Sequence, residues 1–299
     1  MKKKPSDLRF VFFGTPEISV TVANELEKAG YLPAVVVTRM DAPVGRGKVL
    51  TPPPMKVWAE ARGIDVLQPK KITEDVIASL QNTEWDLFVV AAYGRLLPQA
   101  LLDIPQKGTL NVHPSLLPKL RGPSPIRSAI LTDEKGTGVS IMVLDADMDH
   151  GPLLGQTTVQ LDEWPPHAPE LESILATEGG RLLAEVLPQW LDGTLTAVEQ
   201  DHAQATFCRM LKKEQGLLNL ADDAYANLLK IRAFEGWPGT YTFFERRGTR
   251  IRVQIIDAHL VGKTLVIDTV KPEGKNDMKY DDFLRSGAEP AKDLTVDSL

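Results

Sequence analysis

The stretch Asn-Val-His at residues 111–113 ends an apolar run and places two polar side chains where chemistry is possible. Side chains two residues apart on a strand lie on the same face, so Asn111 and His113 are predicted to project side by side. Pro114 then holds His113 in an extended conformation. An amide and an imidazole that converge at a strand end suggest a site. The alternative is a hydrogen-bonded asparagine and a surface histidine at an ordinary strand exit.

A second candidate segment is VLDADMDHGPLL at residues 143–154, with acidic side chains at alternate positions: Asp145, Asp147 and Asp149. A calcium-binding loop needs Gly at its sixth position and Glu at its twelfth, but His150 and Gln156 stand there. The histidines of the chain show no zinc-ligand spacing, so we predict no metal. The segment is then either a solvated acidic turn or a turn that brings Asp149 to the Asn-His pair.

The elements that must position these residues alternate along the first two thirds of the chain. Strand-like runs are LRFVFF, PAVVVT, WDLFVVAAY, GTLNVH, GVSIMVLD and PLLGQTTVQL. Helices are predicted at 16–29, 55–62, 73–82, 95–103, 125–132 and 168–191. This alternation predicts an α/β domain with a Rossmann-like, mostly parallel sheet covered by helices on both faces. Ligands bind such sheets at the carboxyl ends of the strands, where Asn111 and His113 are expected.

The first strand-to-helix turn, FFGTPEIS, occupies the place of a dinucleotide fingerprint. That fingerprint needs glycines for the tight turn, for the approach to the pyrophosphate and for helix packing. Gly14 is the one glycine in this turn. An NAD-dependent dehydrogenase is therefore not expected.

Composition narrows the class of protein further. The 299 residues suit two domains, which we predict at 1–203 and 204–299. The net charge of −6 argues against unselective nucleic-acid binding. The single cysteine, Cys208, excludes a disulfide framework and fits a cytoplasmic protein. The opening MKKKPSDLRFVFF has no apolar run long enough for a signal sequence or a membrane span. We expect a monomer without membrane association.

The second domain follows the polar linker TLTAVEQDHAQA and contains a predicted helix at 222–234 and then strands. In TRIRVQI, apolar residues alternate with polar ones, so Arg250 and Arg252 share one strand face. Such a face is either solvated or, in an acidic protein, a track for RNA. The tail after Arg285 is polar and is predicted to be disordered.

Together, NVHPSLLPKLRGPSPI at 111–126 and the Asp149 segment resemble the folate-dependent formyltransferase family. The family signature is Asn-x-His, then SLLP, then an Asp before a Gly-containing turn. FFGTPEIS, GRGK at 45–48, AAYGRLLP at 91–98 and IRAFEGWPGTY at 231–241 are similar to the branch of that family that formylates methionyl-tRNA. The likeness extends over about residues 8–285.

This resemblance implies transfer of a formyl group from 10-formyltetrahydrofolate to the α-amino group of initiator methionyl-tRNA. Asn111 and His113 would donate to the developing oxyanion. Asp149 would favour the charged form of His113 and help to take the amine proton, through water. The residues that the resemblance places around the folate are Ser115, Leu116, Leu117, Pro118, Leu96 and Leu97.

The resemblance also implies two RNA-binding regions. The loop at 38–56 is long for a strand-to-helix connection, and its sequence by itself indicates a solvent-exposed surface loop. By resemblance it approaches the tRNA end, with Arg46 and Lys48 meeting phosphates or base edges. The terminal domain would resemble a small β-barrel of the oligonucleotide-binding type. Because IIDAHLVGKTLVID passes almost directly from one strand to the last, this barrel is predicted to lack one hairpin.

Two other functions stay open at this point. An N-formyltransferase for an amino-sugar nucleotide shares the Asn-His-Asp core. The GRGK loop and the domain that contains FEGWPG make this function the less favoured of the two enzyme activities. A non-catalytic RNA-binding relative is disfavoured because all three chemical residues are present.

Overall fold

The computed structural model describes residues 4–45, 47–291 and 294. The described chain forms two compact units. The first is built from residues up to 125, 136–160 and 172–208, and the second from 126–135, 161–171 and the residues from 209 onward. The domain boundary after residue 203 stays a prediction. The sequence did not indicate that residues 126–135 and 161–171 would belong to the same unit as the C-terminal part.

The strands of the described residues are numbered in chain order. They are β1 (Phe10–Gly14), β2 (Val35–Val37), β3 (Ala42–Val44), β4 (Val49–Thr51), β5 (Asp65–Leu67), β6 (Leu87–Ala91), β7 (Thr109–His113), β8 (Gly138–Val143), β9 (Leu153–Thr158), β10 (Thr240–Arg246), β11 (Thr249–Val261), β12 (Thr264–Pro272), β13 (Met278–Lys279) and β14 (Glu289–Pro290).

The helices of the same residues are α1 (Glu17–Lys28), α2 (Pro54–Glu60), α3 (Glu74–Gln81), α4 (Gln99–Leu102), α5 (Pro125–Leu131), α6 (Ala168–Asp192), α7 (Ala224–Ala233) and α8 (Tyr280–Leu284). Short 3-10 turns are found at Pro5–Asp7, His202–Gln204 and Lys213–Gly216.

The first unit contains a seven-stranded sheet in the order β5-β2-β1-β6-β7-β8-β9. The first five strands in this order, from β5 through β2, β1 and β6 to β7, are parallel. Strand β8 is antiparallel to β7, and β9 is antiparallel to β8. The predicted mostly parallel α/β sheet is therefore confirmed. The order reverses at β1, from which β2 lies on one side and β6 on the other, and β7 lies next to β6.

Helices cover both faces of this sheet. Leu80 of α3 and Leu101 of α4 pack in a buried cluster with residues of β1 and β6 that include Phe13 and Val90. On the opposite face α6 lies so close that a Cβ at Gly179 would come within 2.6 Å of the Val112 side chain. Because both faces are covered, every residue of β1 and β6 is buried, which explains their unbroken apolar sequences.

Three local predictions for the first unit were wrong. The helix predicted at 95–103 begins only at Gln99, after Pro98 in an extended conformation. The long loop at 38–56 contains the hairpin β3–β4, whose strand residues are all exposed. Strand β5, which pairs with β2, was not predicted because its three residues carry too short a pattern.

The second unit contains a five-stranded antiparallel sheet in the order β13-β12-β11-β10-β14. Val253 and Ile255 of β11 pack in its core with Phe244 of β10 and Phe283 of α8. The predicted alternation of β11 is confirmed, and so is a separate β-sheet in the C-terminal part of the chain.

The prediction of a disordered tail after Arg285 was wrong for its first part. Glu289–Pro290 form β14 and pair with β10, and the Ala291 N–H donates to the Phe243 carbonyl at 2.9 Å. With β13 and β14 the sheet reaches five strands although each of these two is only two residues long. An oligonucleotide-binding-type barrel stays a prediction.

Candidate active site

Asn111 and His113 lie at the carboxyl end of β7, in the first unit. Asn111 is opposite Val90 of the parallel strand β6, and His113 is opposite Ser140 of the antiparallel strand β8. His113 is 3 % exposed and Asn111 is half-buried. The side chains lie on one face of the sheet, as their spacing predicts.

Asp149 reaches these two residues from the loop between β8 and β9. Its Oδ1 atom is 3.5 Å from Asn111 Nδ2 and 3.6 Å from His113 Nδ1. Its Oδ2 atom accepts a hydrogen bond of 2.7 Å from the Gly122 N–H. The structure therefore brings together the three residues that the sequence singled out, and one carboxylate oxygen faces both the amide and the imidazole.

The second ring nitrogen of His113 is also occupied. Its Nε2 lies 3.1 Å from the Leu120 carbonyl oxygen. A carbonyl can only accept, so Nε2 carries a proton and donates it there, which leaves Nδ1 toward the carboxylate. A protonated ring in this orientation presents Nδ1–H to the space that it shares with Asn111 and Asp149.

The SLLP turn is packed by its own hydrogen bonds. Ser115 is 1 % exposed and its hydroxyl donates to the Lys119 carbonyl at 2.6 Å. The Ser140 hydroxyl donates to the Ser115 carbonyl at 2.6 Å, and Gln156 Nε2 donates to the Leu117 carbonyl at 2.8 Å. These contacts fix the backbone between His113 and Gly122, which holds the Asp149 carboxylate.

The remaining predicted folate residues differ in exposure. Leu117 is buried, and Leu116 and Pro118 are half-buried. Leu97 packs against the core cluster beside β6, while Leu96 is 81 % exposed just after the end of β6. The contribution of these leucines, of Ser115 and of Pro118 to folate binding stays a prediction.

Sequence reasoning missed the role of residues 198–208, which it divided between a polar linker and the start of the second domain. This segment, which we call the strap, forms bridges from Val198 to Leu153 and from Phe207 to Arg121. It also supplies Gln200, which is 5 % exposed and bonds to the carbonyls of Asp149 and Gly151. A polar segment with one buried glutamine carries no periodic signal, so nothing in the local sequence could have revealed it.

The predicted tRNA-binding residues lie in two regions. Arg46 falls outside the described residues, and Lys48 is exposed in the turn of the β3–β4 hairpin with φ of 47°. In the second unit, the Arg252 guanidinium lies 3.9 Å from the Tyr241 ring centre, and that of Arg250 lies 4.0 Å from the Phe243 ring centre. The face of β10 and β11 that bears these four side chains is called the arginine face below.

Residues 4–45 and 47–291 contain no group of three or more His, Cys, Asp or Glu side chains that could hold a metal ion. None of the helices in the described part of the chain combines the length and the apolar composition that a bilayer crossing requires.

The sequence of the chain is similar to known proteins over most of its length. Residues 8–187 match the family model described as formyl transferase. A methionyl-tRNA formyltransferase from Chloroflexus aggregans is 45 % identical over 82 % of this chain and 79 % of its own length. Another, from Bacillus velezensis, is 38 % identical over 93 % of this chain and 94 % of its own. The chain therefore belongs to the formyl transferase family, and within it to the methionyl-tRNA formyltransferases.

Solved structures support the fold. An N-formyltransferase from Helicobacter canadensis, in complex with folinic acid and dTDP-3-aminofucose, matches with a TM-score of 0.63. It is 16 % identical and covers 85 % of this chain and 88 % of its own. At this identity the likeness concerns the fold alone, which enzymes with different formyl acceptors share.

Proposed function

We infer that the protein transfers a formyl group from 10-formyltetrahydrofolate to the α-amino group of initiator methionyl-tRNA, for translation initiation. The observation that supports this chemistry is the position of one Asp149 carboxylate oxygen, which faces both the Asn111 amide and the His113 ring at the end of β7. Membership of the methionyl-tRNA formyltransferases selects the acceptor.

In the proposed mechanism, Asn111 and His113 stabilise the negative charge that develops when the amine attacks the formyl carbon. The Asn111 amide has two N–H groups, so one can face Asp149 while the other donates to the oxyanion. With Nε2 donating to the Leu120 carbonyl, His113 would donate to the oxyanion from an N–H at Nδ1. Removal of one such donor typically lowers turnover by roughly 10²–10³-fold.

We propose that Asp149 receives the proton that the attacking nitrogen loses, directly or through water. The new C–N bond forms as the nitrogen attacks, and the bond from the formyl carbon to the folate nitrogen then breaks. The folate nitrogen takes up a proton as it leaves, so one proton moves in total from the amine to the folate. Help of this acid–base kind contributes roughly 10²–10⁴-fold.

We propose that the folate lies beside the ends of β6 and β7. Leu96 offers an exposed apolar side chain there, and the backbone of the adjoining turn is open at Ala92 and Gly94. A planar ring system requires apolar walls and main-chain hydrogen-bonding groups, which this turn and the SLLP turn supply. The requirement for 10-formyltetrahydrofolate itself is part of this proposal.

We propose that tRNA contacts Arg46 and Lys48 of the β3–β4 region and Arg250 and Arg252 of the arginine face. Cations near phosphates position a nucleic acid, and aromatic side chains with arginines offer stacking surfaces. The role of the second unit as a tRNA-binding domain of the oligonucleotide-binding type belongs to the same proposal. A monomeric state and a cytoplasmic location, the latter supported by the single cysteine, also belong to this proposal.

Incubation of the protein with 10-formyltetrahydrofolate and methionyl-initiator-tRNA tests the function. Formylmethionyl-tRNA is the expected product, and amino-sugar nucleotides added in excess should not compete. Formylation of the amino sugar instead would transfer the assignment to the sugar N-formyltransferases, which share the fold. Binding of tRNA with no formylation of either acceptor would make the protein a non-catalytic relative.

A further inference from the structure

The strap, residues 198–208, holds both loops that make the active site. On one side, the Leu120 N–H donates to Thr206 Oγ1 at 2.8 Å and the Arg121 N–H donates to the Thr206 carbonyl at 2.9 Å. On the other side, Gln200 bonds to the loop that carries Asp149. The strap thus bonds to two segments: the backbone that leads into Gly122, whose N–H donates to the Asp149 carboxylate, and the loop that contains Asp149 itself.

We propose that Gln200 is a positioning residue, which acts on formyl transfer by fixing the backbone of Asp149. This inference rests on the proposed function. Gln200 Nε2 lies 3.0 Å from the Asp149 carbonyl oxygen and 2.7 Å from that of Gly151. The two N–H groups of one buried amide thereby bind the residue that carries the reacting carboxylate and the turn that follows it.

Arg121 determines which way the Gln200 amide faces. Its Nε and Nη2 donate to Gln200 Oε1 at 3.1 and 2.7 Å. A guanidinium has donors only, so the amide oxygen must face Arg121 and the amide nitrogen must face the two carbonyls. Arg121 is 4 % exposed, so its guanidinium is largely shielded from water. The buried charge is therefore directed to Gln200 and to His202, whose Nδ1 accepts from Nη2 at 2.9 Å.

The Asp149 loop has an unfavourable backbone conformation at the residue that carries the carboxylate. Asp149 has φ of 50°, in the left-handed region that non-glycine residues rarely adopt. The neighbouring Asp147 and Met148 are exposed. The strap also contacts the far side of the loop, since the His202 ring stacks on the His150 ring at 4.1 Å with an interplanar angle of 1°. Hydrogen bonds and stacking from the strap hold a backbone conformation that the loop alone would not favour.

The test compares Gln200→Glu with the unmodified protein. Glutamate keeps the size of the side chain and its contact with Arg121, but it has no N–H for the two carbonyls. We expect kcat for methionyl-tRNA formylation to fall by roughly 10- to 10²-fold, as for a reacting group displaced by about 1 Å, with KM for both substrates nearly unchanged. Gln200→Met, of similar volume and without charge, should give the same result. Gln204→Glu is the matched control, since Gln204 is exposed and its amide contacts Asp201 at 2.7 Å.

A double-mutant cycle separates positioning from a general structural role. If Gln200 acts through the Asp149 carboxylate, Gln200→Glu should have no further effect on the residual kcat of Asp149→Asn. The same fold-loss in both backgrounds would overturn the inference, as would near-wild-type kcat in both Gln200 variants. Failure of both variants to fold, seen by thermal unfolding, would also overturn it, because Gln200 would then support the fold and not Asp149. If the unmodified protein formylated no methionyl-tRNA, the proposed function would fail first.

Discussion

The end of β7 and the arginine face both present polar side chains from strands, but the two regions hold them differently. At β7, His113 is buried, and both of its ring nitrogens face oxygen atoms at 3.1 and 3.6 Å. On β11, Arg250 and Arg252 are half-buried and lie over aromatic rings. A buried polar group loses water and depends on its few partners, whereas a half-exposed cation keeps part of its hydration. Single substitutions should therefore have large effects at the first region and small, additive effects at the second.

The largest expected effect is on turnover at the end of β7. Asn111→Ala, His113→Ala and Asp149→Ala should each lower kcat by roughly 10²-fold or more, because each removes a proposed oxyanion donor or the proposed proton acceptor. Affinity for tRNA should stay close to that of the unmodified protein, and each variant should still fold. Asp147→Asn, in the same loop but exposed, is the control and should retain activity. Near-wild-type turnover of His113→Ala would remove this site from the mechanism.

A smaller effect, on stability, compares a glycine of the candidate active site with a glycine in the turn that follows β11. Gly122 donates to Asp149, has φ of 120°, and an added Cβ would lie 2.3 Å from the Cys208 carbonyl oxygen. Gly262, in the β11–β12 turn, has φ of 62° with open space around it. Gly262→Ala should cost about 1–2 kcal/mol of unfolding free energy from backbone strain alone.

Gly122→Ala should lower the unfolding free energy more than Gly262→Ala does, since overpacking adds roughly 1–3 kcal/mol. It should also lower kcat, because it shifts the Gly122 N–H that donates to the Asp149 carboxylate. Denaturant unfolding of both variants measures the difference. Equal destabilisation of the two variants would show that the backbone at Cys208 can move to accommodate the added methyl group, and the strap would then not hold the site in place.

The third effect concerns the salt dependence of tRNA binding. Each phosphate contact contributes about −0.7 to −0.9 to the slope of log affinity against log salt. Replacement of both Arg250 and Arg252 by Ala should reduce the slope by up to about two contacts. Arg285→Ala removes an exposed charge that is paired with Asp282 at 2.7 Å, and it serves as the control. An unchanged slope in the double variant would mean that the arginine face is only solvated.

The smallest effect is expected in the β3–β4 hairpin. Lys48→Ala should weaken the use of methionyl-tRNA by no more than about fivefold, as expected for one exposed charge worth up to about 1 kcal/mol. The affinity for 10-formyltetrahydrofolate, measured directly, should not change. Arg46→Ala is expected to behave in the same way. Loss of folate affinity in either variant would show that the hairpin supports the pocket and not the RNA.

The sequence alone determined the features that repeat along a strand or a helix. Apolar strand-like runs such as β1 and β6 alternate with helical segments along the chain, and this alternation predicted the parallel sheet. The two-residue period placed Asn111 with His113 and separated Arg250 and Arg252 from Val253 and Ile255. The quoted motifs added the family, because their order along the chain is specific.

Only the tertiary structure decided which loops meet. Gln200 lies 51 positions from Asp149 and 79 from Arg121, yet it bonds to both. Likewise β14 is recognisable only by its pairing with β10, and residues 126–135 and 161–171 join the second unit only through folding. The physical reason is the same in each case. Apolar burial leaves a periodic trace in the neighbouring residues, whereas a hydrogen bond between distant loops depends on a partner that local sequence does not specify.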